Sequence, residues 1–149
     1  MNADVHCCGA GLFHDPNRPQ DHKTMYQIIT SAIVNVPLPN MVIKMLHTSK
    51  VLYVPQNAMR SINSPSDTKE DMIELFQTDV NGQIRELKKL MGRRNYAIFV
   101  AFDPQPQYDP SLMKPGALSL AVDFIVQGEG IYPTVKYGPV VIPRVDSGQ

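Results

Sequence analysis

The sequence predicts a single α+β domain, in which two helices pack on one face of a mostly antiparallel sheet of about five strands. Three observations lead to this prediction. The chain has 149 residues, 43% of them hydrophobic, which is enough for one core without disulfides. One long segment carries apolar residues at helical spacing. Two further segments carry the apolar runs and short turns that are typical of paired strands.

The first segment, residues 1–21, is rich in Gly, Pro, Asn and Asp and has no hydrophobic period, so we expect an extended arm. It contains the neighbours Cys7 and Cys8 and also His14, with His22 just beyond it. Thiolate and imidazole suit zinc, but structural zinc sites usually space paired cysteines by about two to four residues. We therefore expect no metal or other cofactor, and no specific chemistry in the arm.

A first helix is predicted between Asp21, as N-cap, and Pro37. Its apolar face would consist of Met25, Ile28, Ile29 and Ile33. Residues 41–46 and 51–54 are apolar segments on either side of a short polar loop, and they are predicted to form a hairpin. A polar loop follows them.

The clearest helix signal lies in residues 66–94. Asp67 and Glu70 have the spacing of a capping box, and Gly92 suits the position after a helix. Asn81 and Gly82 interrupt the helix at a cost of about 1 kcal/mol and predict a kink. The apolar stripe of this predicted helix consists of Ile73, Phe76, Val80, Ile84, Leu87 and Met91.

Three strands are predicted in the second half. Residues 96–102 are continuously apolar, so we expect a strand covered on both faces. A proline-rich loop follows at 103–116. Residues 118–126 alternate, and a Gly-Glu-Gly turn joins them to residues 131–137.

The last of these strands and the residues after it contain Pro133, Pro139 and Pro143. Proline lacks the N–H that a central strand donates, so the strand is predicted at the sheet edge, and residues 140–145 are predicted to lack a ladder within their own chain. The predicted organisation is an arm at 1–21, a core at 22–138 and an extended tail at 139–149. The residues expected to contact neighbouring subunits are Tyr132, Val140, Val141, Ile142 and Val145.

A second candidate site is a basic cluster at the C-terminal end of the predicted long helix. Its members are Arg85, Lys88, Lys89, Arg93 and Arg94. Such a cluster could bind nucleic-acid phosphates, and basic residues are also ordinary partners of a helix C-terminus. Nucleic-acid binding is therefore the alternative function.

Composition and motifs limit the functional classes. The 14 basic and 14 acidic residues cancel, which argues against a protein that coats nucleic acid and suits a subunit packed among copies of itself. No segment has the apolar length of a signal or membrane span. No nucleophile or phosphate-loop motif is present. Asp103 and Asp109 could form a carboxylate pair, but both precede a proline, as turn residues often do.

These observations favour a non-enzymatic structural subunit of a homo-oligomer. By architectural analogy, we expect a virion component, such as a bacteriophage neck, tail-completion or capsid-decorating protein. The expected partners are copies of itself and neighbouring structural proteins, without a membrane or a small-molecule substrate. The expected location is the virion, assembled in the host cytoplasm, or otherwise the cytoplasm. An enzyme whose residues are scattered over loops remains a further alternative.

Overall fold

The computed structural model describes residues 6–14, 24–31, 33–34, 36–48, 52–54, 58–60, 69–103 and 118–144. These residues form a mostly β structure with one short helix, so the predicted α+β fold with two packed helices is wrong. The elements in chain order are β1 Gly9–His14, β2 Met25–Ile29, α1 Asn40–Thr48, β3 Leu52–Val54, β4 Ala58–Arg60, β5 Lys69–Met72, β6 Asn95–Phe102, β7 Ser119–Gln127 and β8 Thr134–Ile142.

The strands form three antiparallel sheets. The first sheet has the order β2-β1-β5, the second has the order β6-β7-β8, and β3 pairs with β4 in a separate ribbon. The central position of β1 contradicts the predicted unpaired arm, because Gly9–His14 pairs with a strand on each side. Residues 15–23 and 145–149 lie outside the described residues, and an extended arm or tail there stays a prediction.

The larger hydrophobic cluster joins the first and second sheets. Phe76 is fully buried, and its ring lies edge-to-face with Phe124 at 6.1 Å and with Tyr137 at 5.2 Å between centroids. The buried members are Cys8, Ala10, Ile28, Phe76, Met91, Val122, Phe124, Val126, Tyr137 and Val140. A smaller cluster, of Cys7, Ile43 and Leu90, lies against α1. Because neighbouring side chains in an extended chain point to opposite faces, Cys8 enters the larger cluster and Cys7 the smaller.

The first predicted helix is a strand, β2, paired with β1. Ile28, Ile29 and Thr30 are consecutive β-branched residues, which lose side-chain freedom in a helix and pack well on a sheet. The helix instead covers residues 40–48, where a strand was predicted. Its first turn is closed by Pro39, whose carbonyl accepts the backbone N–H groups of Val42 and Ile43.

The predicted strand at 51–54 is confirmed in part as β3. Its partner is β4, which lies in the predicted polar loop, and not residues 41–46.

The predicted long helix is also wrong. Its start is β5, and residues 73–94 run as an irregular hairpin. The Asp79 Oδ1 atom accepts the N–H groups of Asn81 and Gln83, both at 2.9 Å, and Gly82 has a φ of 81°. A β-bridge between Thr78 and Ile84 joins the two chain segments that flank this turn. The residues read as a kink therefore form a true reversal of the chain.

The last three strands are largely as predicted, but their surroundings are not. Residues 96–102 lie in β6 and residues 118–126 largely in β7. Coverage of β6 on both faces is wrong, because most of its residues are exposed. No helix among the described residues is long and apolar enough to cross a membrane.

β8 begins later than predicted and continues through Pro139 to Ile142, as an edge strand of the described sheet. The register shifts between Val122 and Phe124 on β7, opposite the cis Gly138–Pro139 peptide. Gly138 has a φ of 132°, and a Cβ there would lie 2.7 Å from Asp123 Oδ1. Irregularities and sheet edges are the places where a sheet accepts proline. The strand therefore passes the proline that was expected to end it.

Candidate functional site

His14 and Asp71 form the most chemically suggestive pair in the described structure. His14 ends β1, and Asp71 lies on β5 opposite Leu12, so the two side chains are diagonal neighbours on one sheet face. His14 Nε2 and Asp71 Oδ2 are 2.8 Å apart, with 11% and 48% of the side chains exposed. A carboxylate in this position orients an imidazole and stabilises its protonated form.

Sequence reasoning did not find this pair. The sequence pattern groups His14 with Cys7, Cys8 and His22 as a weak metal-like cluster, and it places Asp71 inside the predicted helix at 66–94. No short spacing links residues 14 and 71, and only the β1–β5 pairing brings them together. His22 lies outside the described residues.

Cys7 and Cys8 are core residues and not ligands on an open arm. Both are free thiols with no exposed surface. Burial raises the pKa of each thiol, and the pKa of Cys8 is raised well above its usual range, with the neighbouring Cys7 adding to the shift. The nucleophilic and metal-binding form of cysteine is the thiolate. These thiols are therefore poorly suited to either role. No group of three or more His, Cys, Asp or Glu in the described residues could hold a metal ion.

Arg85 belongs to the predicted basic cluster, but its donors are used inside the chain. Its Nη2 donates to the carbonyls of Leu87 at 3.0 Å and Leu90 at 2.9 Å, and its Nη1 lies 3.1 Å from the sulfur of Met91. Burial lowers the pKa of its guanidinium. Arg85 thus holds the irregular segment 87–91, where carbonyls lack the regular partners of a helix or strand.

Arg93 has a similar structural role. Its Nη1 donates to the carbonyls of Gln127 at 3.3 Å and Gly128 at 3.0 Å, and its Nη2 pairs with Glu129 at 2.8 Å. These contacts hold the turn between β7 and β8. Lys88 and Lys89 are partly buried and Arg94 is exposed. The five residues do not share a helix end as predicted. Contact with nucleic acid stays a prediction.

The residues predicted to contact neighbouring subunits do not form a free tail. Val140, Val141 and Ile142 pair with β7, opposite Val122, Ala121 and Leu120 respectively. The expectation that they lack a ladder within the chain is therefore wrong, and Val140 is buried in the larger cluster.

Val141 is 50% exposed and Tyr132 is 90% exposed. Val145 lies outside the described residues. Contact between the five predicted residues and another chain stays a prediction.

Two buried polar atoms lack a hydrogen-bond partner in the described structure, Tyr137 Oη and Asp123 Oδ1. Burial raises the pKa of Tyr137. The other carboxylate oxygen of Asp123 lies 3.4 Å from Lys136 Nζ. Of the predicted carboxylate pair, Asp103 is described and partly buried, whereas Asp109 lies outside the described residues.

An open, largely apolar groove of about 520 Å³ lies between the first and second sheets. It is lined by Phe13, Met25, Tyr26, Gln27, Ile28, Phe99 and Ile142. Phe13 and Met25 pair near the end of β1 that carries His14. The groove and the His14–Asp71 pair therefore lie toward the same end of the first sheet.

Comparison with known proteins gives the family. A family model described as PhoD related phosphatase matches residues 1–149. No curated protein and no solved structure matches the chain significantly. The family match overturns the predicted virion subunit and the prediction of a non-enzymatic protein, because the family is one of phosphatases. This chain belongs to the family of PhoD-related phosphatases.

Proposed function

We propose that this chain takes part in the hydrolysis of phosphate esters. The observation that carries the proposal is the family match over residues 1–149. In this reaction a water oxygen forms a bond to phosphorus, and the bond between phosphorus and the alcohol oxygen breaks. The alcohol oxygen takes up a proton as it leaves, and the other product is inorganic phosphate or a phosphomonoester.

We assign the proton transfer to His14. Imidazole changes its charge near neutral pH, so it can deliver a proton to a leaving oxygen and be reprotonated between turnovers. Asp71, 2.8 Å from the ring, would hold its orientation and stabilise the imidazolium. The position of His14 at the end of a strand supports this role, because binding and catalytic residues often lie where chain segments leave a rigid scaffold.

The test measures hydrolysis of p-nitrophenyl phosphate and bis(p-nitrophenyl) phosphate, which separate monoesterase from diesterase activity. We expect His14→Asn to lower kcat by about 10²–10⁴-fold, the usual contribution of a general acid or base. Asp71→Asn should lower kcat as well, because the imidazole of His14 loses the carboxylate that orients it.

The matched control is His6→Asn. The imidazole of His6 lies 3.0 Å from the carbonyl oxygen of Val36, and the backbone φ of His6 is 50°, which asparagine tolerates. This variant should keep wild-type activity, and thermal melting should show all variants folded. Absence of hydrolysis by the wild-type chain contradicts the proposed function. Equal activities of His14→Asn and His6→Asn contradict only the role of His14.

A further inference from the structure

The two edges of the second sheet are built differently. β8 carries Lys136 and Pro139, and a register irregularity interrupts its pairing with β7. Lysine, proline and bulges are the usual protections against pairing with a further strand. β6 has eight residues with no proline, no glycine, no charged side chain and no irregularity in its register with β7. Among the residues that the structure describes, one edge of the sheet is therefore protected and the other is open.

The open edge is also apolar. Tyr96, Ile98, Phe99 and Val100 are 44%, 43%, 38% and 51% exposed. Within the described residues, β6 pairs only with β7, so the N–H and C=O groups on its other side have no strand beside them. A long, regular, hydrophobic edge of this kind is suited to accept another strand.

We propose that β6 pairs antiparallel with β6 of a second copy of this chain, joining two three-stranded sheets into one six-stranded sheet across a two-fold axis. A two-fold interface must be self-complementary. β6 meets this condition because it bears no charged side chain, so no like charges are placed opposite each other. It also offers no charge with which to select a charged partner strand. The 14 basic and 14 acidic residues cancel, so two copies carry no net repulsion.

The chain contains a matched pair of positions for the test. Val100 on β6 and Val141 on β8 lie on opposite sides of Ala121, on the same sheet face. They are 51% and 50% exposed. Val100→Lys places a charge on the open edge, and Val141→Lys places the same charge on the protected edge.

Sedimentation over a concentration series measures the assembly. We expect the wild type and Val141→Lys to sediment at twice the chain mass. Val100→Lys should sediment at the chain mass, or dimerise with a dissociation constant raised at least about tenfold. Thermal melting of dilute samples should show all three folded, and Ile98→Lys replaces Val100→Lys if that variant does not fold.

Amide exchange provides an independent measurement. Backbone amides within residues 96–101 should exchange more slowly in concentrated wild-type chain than in dilute chain, whereas Val100→Lys should show no such change. A wild-type chain that stays monomeric overturns the proposal. So does loss of the dimer in Val141→Lys alone, which would place the contact on β8. The proposal does not depend on the phosphatase function.

Discussion

β1 is more buried than β6, although the residues of β6 are the more hydrophobic. β1 begins with Gly9, Ala10 and Gly11, all buried. β6 is apolar or aromatic at every position except Asn95, yet Asn95 is its only buried residue. β1 has a strand on each side and a hydrophobic cluster on each face, whereas β6 lies at a sheet edge. Burial of a strand is thus determined by its neighbours in the sheet, and side-chain hydrophobicity alone does not reveal them.

Ala10 and Ala101 give the largest expected difference between the two strands. Ala10 is fully buried on β1, and Ala101 is exposed on β6. Ala10→Asp would bury an unpaired charge and should destabilise by more than about 4 kcal/mol, enough to abolish cooperative folding. Ala101→Asp should cost no more than about 1 kcal/mol, the range of strand preferences. Thermal unfolding of dilute samples followed by circular dichroism measures both, and similar losses would show that β6 is covered within its own chain.

Phe76 and Phe99 test the same contrast through packing. Phe76 is fully buried between the sheets, whereas Phe99 is 38% exposed on β6. Phe76→Ala should lower the free energy of unfolding by about 3–5 kcal/mol. Phe99→Ala should lower it by less than about 2 kcal/mol, because part of its surface is already in water. Urea unfolding gives both values. A larger loss at Phe99 would contradict the described core.

Cys8 gives the smallest effect, and it depends on pH. Burial raises the pKa of its thiol, so the folded chain keeps a proton that the unfolded chain loses near an ordinary value of about 8.5. The protonated thiol stabilises the folded chain fully when the pH is below that value, and this stabilisation is lost as the pH rises toward the pKa of the folded chain. By about pH 9.5, below the pH at which tyrosine ordinarily titrates, the free energy of unfolding should have fallen by about 1.4 kcal/mol because of this thiol.

The Cys8→Ala variant is the control for this pH dependence. Its free energy of unfolding, measured with urea between about pH 7 and pH 9.5, should fall less steeply than that of the wild type. Equal slopes would show that Cys8 is not the group that titrates.

Sequence reasoning found the local strand pair β7 and β8 and the apolar strand β6, because alternation, short turns and continuous apolar runs are local signals. It failed where two local signals conflicted. The three-and-four spacing from Ile73 to Met91 outweighed Asn81-Gly82, which is a strong turn signal. In the structure the turn prevails, and Ile84, a member of the supposed stripe, is 87% exposed.

The first sheet and the candidate site could not be predicted from local signals. β1 pairs with β5, which lies far along the chain, so His14 and Asp71 share no motif or spacing. The small residues of β1 resemble a loop in composition, although small residues also allow close packing. The Cβ of an alanine at Gly9 would lie 2.9 Å from a Leu90 methyl and 3.1 Å from the Lys89 carbonyl oxygen. That close packing is visible only once the neighbours are known.

The two neighbouring thiols provide a native reporter of local opening. Cys7 and Cys8 have no surface available to an alkylating reagent in the folded chain. Labelling of Cys8 requires the cluster between the two sheets to separate, whereas labelling of Cys7 requires only the smaller cluster beside α1 to separate. The two labelling rates therefore measure the opening of two parts of the chain separately, at adjacent positions and without an introduced probe.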